Sequence, residues 1–288
     1  MEIRTSELGG LVLVDKPAGM TSHDAVAIVR RAVGIRRVGH AGTLDPFATG
    51  LLVMLTGRGT RLIPYIDGEP KVYEATISFG SETDTDDLTG VVTRDAPIPT
   101  DTSLAAAIAK LIGNIEQLPP AYSAKKVGGV RAYDAARRGA PLTLHPVQVT
   151  VRDIRILDRQ NGAIRARIEC SGGTYVRALA RDIGRLANSA AHLAALRRVR
   201  SGPFDVTNAD SVEAIRESNI ACLPLRHAVA SMPVQRLNAP DVSRVLHGNA
   251  ILASVDGDRV ALLDEETLIA VAERAGDQLR PVLVLRDP

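Results

Sequence analysis

Four short segments of this chain hold residue types that can do chemistry. The densest is Gly39-His40-Ala41-Gly42-Thr43-Leu44-Asp45-Pro46-Phe47-Ala48-Thr49-Gly50. Glycines serve where the backbone takes positive φ or passes close to another group, and Pro46 biases Asp45 away from helical backbone. Such a loop presents one carboxylate in a fixed geometry, fit for proton transfer or nucleophilic attack. The plain structural use of a loop Asp is an N-cap or an Asx turn. The glycine spacing matches neither the dinucleotide fingerprint nor the P-loop. Asp45 stands alone in its loop, so the paired carboxylates of a glycosidase have no counterpart.

The second segment, Lys71-Val72-Tyr73-Glu74, opens a strand, and the third, Ser171-Gly172-Gly173-Thr174-Tyr175-Val176-Arg177, opens a helix. Two glycines before a helix start let backbone N–H groups face an anionic ligand. Arg177 falls in the first helical turn, where the helix dipole opposes a cation; that placement makes sense if Arg177 pairs with an anion, and Asp45 is a candidate. The fourth segment, residues 117–146, begins Gln117-Leu118-Pro119-Pro120-Ala121-Tyr122-Ser123 and carries Lys125, Lys126, Arg131, Tyr133, Arg137 and Arg138 without a clear period. Basic side chains meet phosphates and tyrosines stack on bases, so it reads as an RNA-gripping loop. Asp84, Asp86 and Asp87 lack the Gly and terminal Glu of a calcium loop and read as a solvated acidic loop.

The elements that must position these groups are legible in the periodicity. Residues 11–15 read as a strand stopped by Lys16-Pro17-Ala18-Gly19, and Thr21 and Ser22 cap a helix with Ala25, Val26, Val29 and Val33 on one face. Tyr73, Ala75, Ile77 and Phe79 share one face of a strand. Thr100 to Gly113 reads as a helix with Leu104, Ile108, Leu111 and Ile112 inward. Residues 147–157 and 163–170 read as a strand pair turning at Asn161-Gly162, and 174–187 as a helix. From about 230 the pattern changes to short strands with tight turns, a separate β-rich module over 230–288 after a domain of 1–229.

Composition narrows the class. The chain has 288 residues, 45% apolar and 24% charged, with five Tyr, three Phe and no Trp, so Leu, Val, Ile and Ala build the core. No apolar run approaches a membrane span, and MEIRTSELGG does not read as a secretory signal. Cys170 and Cys222 are too few for a disulfide framework, and a reducing cytoplasmic setting fits. The net charge of +2 is uneven: residues 231–288 hold six Arg against nine Asp or Glu, a net of −3, which leaves +5 on the first 230. Basic clusters at Arg30, Arg31, Arg36 and Arg37, at 125–138, and at Arg197, Arg198 and Arg200 can hold a polyanion.

Taken together, GHAGTLDPFATGLL, YEATISFGSETDTDD, QLPPAYSAKK, SGGTYVRALARDIG and HLAALRRVRSGPF resemble the TruB family of tRNA pseudouridine synthases, which modify the T-loop uridine conventionally numbered 55. The resemblance covers most of the chain. It implies an α+β fold, a mixed, largely antiparallel sheet flanked by helices, followed by a PUA-like C-terminal module. It makes Asp45 the catalytic aspartate and Arg177 its partner. Tyr73 becomes the tyrosine stacked on the flipped uracil and a candidate base. His40 helps hold the target out of the loop, Tyr175 and Leu196 contact the target nucleotide, and Lys16 supports the active-site loops.

The implied reaction breaks N1–C1′, turns the base and joins C5 to C1′. As an isomerisation it requires no cofactor and no metal. The base must leave its stack, at a cost of a few kcal/mol. The implied partner is the T-arm stem-loop of tRNA, with no membrane and no obligate protein partner. A binding-only alternative, an RNA-folding chaperone using the same surface, would not need the Asp45, Tyr73 and Arg177 set.

Overall fold

The computed structural model describes residues 9–123, 125–138, 140 and 142–286. They fall into two compact units. One runs to Gly68 and resumes at Ser201; the other is Glu69–Arg200.

In the first unit the strand Leu11–Lys16 lies antiparallel to Thr49–Thr56, with Lys16 opposite Gly50. Val38–His40 pairs antiparallel with that same strand, placing His40 opposite Met54. The connection between them is the glycine-rich segment that carries Asp45. Asp210–Ser211 adds a parallel pairing to Leu11–Lys16. The helix Ser22–Val33 starts at a capping box: the Thr21 hydroxyl accepts from Asp24 N–H, and the Asp24 carboxylate accepts from Thr21 N–H. It ends at Gly34, whose φ of 68° suits a residue without Cβ. Ala25, Val26 and Val29 are the buried face, as the spacing predicts.

Residues beyond 230 form a five-stranded sheet in the order Val234–Arg236, Arg259–Asp264, Thr267–Ala275, Gln278–Val284, Ile251–Leu252. Val245 of the helix Ala239–Leu246 packs with Val260, Leu262, Ile269 and Leu279 from this sheet. Ala261, Leu263, Leu268, Val271 and Leu283 join a second cluster with Leu11, Leu13, Leu51, Val53 and Leu55. These clusters are aliphatic almost throughout. A fully buried Leu, Ile or Val contributes roughly 1.5–3 kcal/mol, so a core can do without Trp.

In the second unit the strand order is Ala191–Ser201, Lys71–Phe79, Ala163–Cys170, Val147–Gln160, Gly113–Gln117. The last four pair antiparallel in sequence. Tyr73, Ala75, Ile77 and Phe79 are buried on one face of their strand, as the alternation predicts. Asn161 and Gly162 take φ of 50° and 76° at the predicted hairpin turn, the signature of a two-residue turn between twisted strands. The helix capped by Thr100 spans only Asp101–Ala109. Ile112, expected inward, is exposed: it lies past the end of the helix, next to Gly113, which takes φ 103° and opens the edge strand Gly113–Gln117. The strand Ala191–Ser201 has no counterpart in the sequence-based reading, because its Ala and Arg residues obscure the alternation. Both units are thus α+β with largely antiparallel sheets, and among the described residues the first also has two parallel pairings.

Candidate active site

Lys16, His40 and Asp45 stand on the first unit. The two residues flanking Asp45 are held by their main-chain atoms, from the first residue of the Ser22–Val33 helix and the turn before it. The buried Ser22 hydroxyl accepts from Leu44 N–H at 2.9 Å and donates to Leu44 C=O at 3.1 Å. On the other side, Pro46 C=O accepts from Gly19 N–H at 2.8 Å. The Lys16 ammonium donates to the same Pro46 oxygen at 3.4 Å, and to Pro17 and Met20 oxygens at 2.8 Å each. Asp45's own C=O accepts from Ala48 N–H at 3.1 Å, closing a tight turn behind it. The side chain of Asp45 is left half-buried.

Burial pulls the Lys16 amine down to a pKa of about 8, while the charges of Asp45 and Asp24 act to keep it protonated. Lys16 is therefore a buried cation near the carboxylate, satisfied mainly by backbone oxygens. His40, on its short strand beside Met54, is half-buried.

The second unit carries Tyr73, Tyr175, Arg177 and Leu196. Tyr73 is buried, opposite Ile168, and Leu196 is buried on the strand Ala191–Ser201. Tyr175 is the N-cap of the helix Val176–Leu186 and has no side-chain cap of its own. The Gln117 amide holds the main chain of this N-cap residue: Tyr175 N–H donates to Gln117 Oε1 at 2.8 Å, and Gln117 Nε2 donates to Tyr175 C=O at 3.1 Å. Arg177 is buried. It donates to Thr85 C=O and Tyr122 C=O at 2.9 Å each and pairs with the Asp87 carboxylate at 3.3 Å.

Arg177 is the first of three arginines four residues apart on one face of this helix. Arg181 pairs with Asp86 at 2.9 Å and donates to Leu118 C=O at 2.9 Å. Arg185 pairs with Glu82 at 2.7 Å, and Arg94 grips the same carboxylate. The sequence-based reading of Asp84, Asp86 and Asp87 as a solvated acidic loop holds for the exposed Asp84 and is corrected for the other two: Asp86 and Asp87, like Glu82, are buried, because a row of arginines stands behind them. Burial raises Asp86 to a pKa of about 6 against the pull of Arg181, Arg177 and Arg185. Burial also pushes Glu82 upward, but Arg185 and Arg94 outweigh it and hold it below the usual carboxylate range. The spacing of Arg177, Arg181 and Arg185 was the available signal.

Gly172 N–H, expected to face an anionic ligand, instead donates to the chain's own Glu69 at 2.8 Å. A Cβ at Gly172 would lie 2.6 Å from that carboxylate oxygen, so a larger residue here would displace the Glu69 side chain. Cys170, just before, is raised by burial to a pKa of about 11 and is no nucleophile near neutral pH.

The basic segment has local structure that its sequence does not advertise: a small hairpin, Lys126–Val127 with Val130–Arg131, then the helix Ala132–Arg137. Lys125 is half-buried and Arg138 exposed; the side chains of Lys126, Arg131 and Arg137 lie outside the described residues. Arg198, grouped by sequence with a surface cluster, is in fact buried. Among the described residues, no three His, Cys, Asp or Glu are grouped to hold a metal ion, and no helix is long and apolar enough to cross a membrane.

Comparison with known proteins converges on one family. The model described as the N-terminal domain of the TruB family of pseudouridylate synthases matches residues 30–176. The one described as the C-terminal domain of tRNA pseudouridylate synthase B matches residues 177–231. The chain is 44% identical to tRNA pseudouridine synthase B of Thermobifida fusca (strain YX), over 96% of this chain and 98% of that one. It is 41% identical to the protein of that name from Nocardia farcinica (strain IFM 10152), over 98% and 95%. Among solved structures it is similar to the archaeal box H/ACA sRNP Nop10–Cbf5 complex, with a TM-score of 0.73, 22% identity, and coverage of 100% of this chain and 89% of that chain. At that identity the likeness concerns the fold.

Proposed function

Since this chain belongs to the TruB family and is a tRNA pseudouridine synthase, we propose that it converts the T-loop uridine of tRNA to pseudouridine, with Asp45 as the essential carboxylate acting on an extruded nucleotide. The rearrangement conserves atoms and electrons: N1–C1′ breaks, C5–C1′ forms, and the proton on C5 moves to N1 by way of a base or water. The reading therefore calls for no cofactor. It takes the T arm as partner, requires no other protein, and places the enzyme in the cytoplasm.

The observation that carries it is the grip on both neighbours of Asp45. Ser22 fixes Leu44, while Lys16 and Gly19 fix Pro46. An N-cap or Asx turn requires no such framing from another element, whereas a carboxylate that must meet a reacting atom does. Attack at C1′, addition to C6 and removal of a sugar proton all use that one group. Tyr73 stacks on the extruded uracil and, with Leu196, supplies apolar walls that offset part of the unstacking cost. His40 keeps the target out of its loop, and Tyr175 contacts it. In this reading Arg177 serves to keep the catalytic carboxylate ionised, as a cation favours the charged form of an acid it approaches. Lys125, Lys126, Arg131, Arg137 and Arg138 meet RNA phosphates, and residues 230–288 act as the PUA-like module.

Incubation with unmodified tRNA and subsequent pseudouridine mapping tests the reading. Wild type should modify the T-loop uridine, and Asp45→Asn should lose at least about 10²–10⁴-fold in rate, the range set by removing a proton-transfer group. Modification elsewhere only, or an active Asp45→Asn, overturns it.

A further inference from the structure

Gln117 is the last residue of the edge strand Gly113–Gln117, paired opposite Val147. Its side chain is fully buried and has both of its polar atoms committed to the main chain of one residue 58 positions away. Tyr175 cannot cap its own helix, since its side chain makes no capping bond. The buried amide instead holds the main chain of that N-cap residue. An amide fits because this site offers both a donor and an acceptor; an aliphatic side chain would leave the Tyr175 N–H without its acceptor, a costly arrangement in the interior. The Tyr175 C=O also starts the helix, accepting from Leu179 N–H at 3.1 Å.

The residues just after Gln117 dock on the same helix. Leu118 C=O accepts from Arg181, and Tyr122 C=O from Arg177. Three points of the 117–122 stretch thus meet helix positions 175, 181 and 177, and the chain leads directly from there into the basic segment.

We propose that Gln117 is a positioning residue for the reaction: it fixes the backbone of Tyr175, and through that residue's main chain links the basic segment to the nucleotide-contacting end of the helix. The proposal rests on the reading that Tyr175 meets the target nucleotide. Gln117 touches neither substrate nor reacting atoms; it sets the origin from which the Tyr175 ring projects. A displacement of about 1 Å at such a point can cost on the order of a hundredfold in turnover.

The test uses full-length protein and a T-arm stem-loop carrying 2-aminopurine beside the target uridine, whose fluorescence rises when the stack opens. Gln117→Leu keeps the volume and removes both bonds. The expected result is a kcat lower by about tenfold or more and a reduced fluorescence rise, with KM within about threefold of wild type. Gln117→Glu keeps the acceptor for Tyr175 N–H, which is favoured at a helix N-terminus, and is expected to recover part of the lost kcat. It also decides the matter if the leucine variant does not fold. An unchanged kcat in a folded Gln117→Leu overturns the proposal. So does a loss confined to KM, or a Gln117→Glu no better than Gln117→Leu. A wild type that makes no pseudouridine in this assay speaks instead against the T-loop reading.

Discussion

The Asp45 loop and the arginine face of the Val176–Leu186 helix solve one problem, holding an irregular segment still, by opposite means. The loop is held by a neutral hydroxyl, a backbone N–H and one ammonium, all directed at main-chain atoms of Leu44 and Pro46. The acidic stretch 82–87 is held by charge, with Glu82, Asp86 and Asp87 each set against a guanidinium. The Ser22 and Gly19 hydrogen bonds are neutral, modest in energy and indifferent to pH. Only the Lys16 grip, from an amine with a pKa of about 8, loses its charge as pH rises through that value. Buried ion pairs are expensive to break and titrate with their surroundings. The difference lies in what each region must leave available. Under the proposed reaction, a loop whose carboxylate acts on the substrate is framed through its backbone, whereas a stretch that only has to stay put can commit its carboxylates to ion pairs.

Arg181→Met attacks the charged arrangement hardest. It strands Asp86 in the interior and should cost about 3–5 kcal/mol at pH 8, measured by urea unfolding. Asp86 already has a folded-state pKa raised to about 6, so in wild type its contribution to stability falls as pH rises from the ordinary carboxylate range through about 6. Loss of Arg181 removes a cation that lowers that pKa, moving it further up. At pH 5 the acid is then protonated and needs no counter-charge, and the cost of the substitution should shrink markedly. An equal cost at both pH values would show that the pair acts by packing instead.

Ser22→Ala is the matching attack on the neutral arrangement. It leaves Leu44 N–H without its acceptor and should cost about 1–3 kcal/mol, the same at pH 5 and pH 8, with a fall in turnover but little change in tRNA affinity. A pH-dependent cost would erase the distinction between the two regions. Arg185→Ala should do least, about 0–1 kcal/mol by thermal unfolding. Its side chain is 55% exposed, and Glu82 keeps Arg94 as a partner. A larger loss would mean that the outermost pair is as structural as the inner two.

What the sequence made legible was local. The Asp45 loop announced itself through glycines and a proline, the 161–162 turn through Asn-Gly, and the starts of two helices through Thr21 and Thr100, because each of these effects acts within a few residues. The ion-pair row was hidden although both halves were in view. Nothing in Arg177, Arg181 and Arg185 says that their partners lie some ninety residues upstream, and a run such as Thr83-Asp84-Thr85-Asp86-Asp87 ordinarily belongs to solvent. Gln117 was hidden for the same reason: its bonds span 58 positions. Ile112 was misplaced because the Ala-rich helix before it has no strong face, so the true end of the helix at Ala109 left no mark in the periodicity.

The grip on the Asp45 loop also bears on how such a protein can diverge. Ser22, Gly19 and Lys16 take hold of peptide atoms of Leu44 and Pro46, and a peptide atom is present whatever side chain a position carries. The two places flanking the carboxylate can therefore drift so far as their backbone shape and the burial of Leu44 allow. The inherited constraint moves to the three grips, at a distance in sequence from the residue they serve.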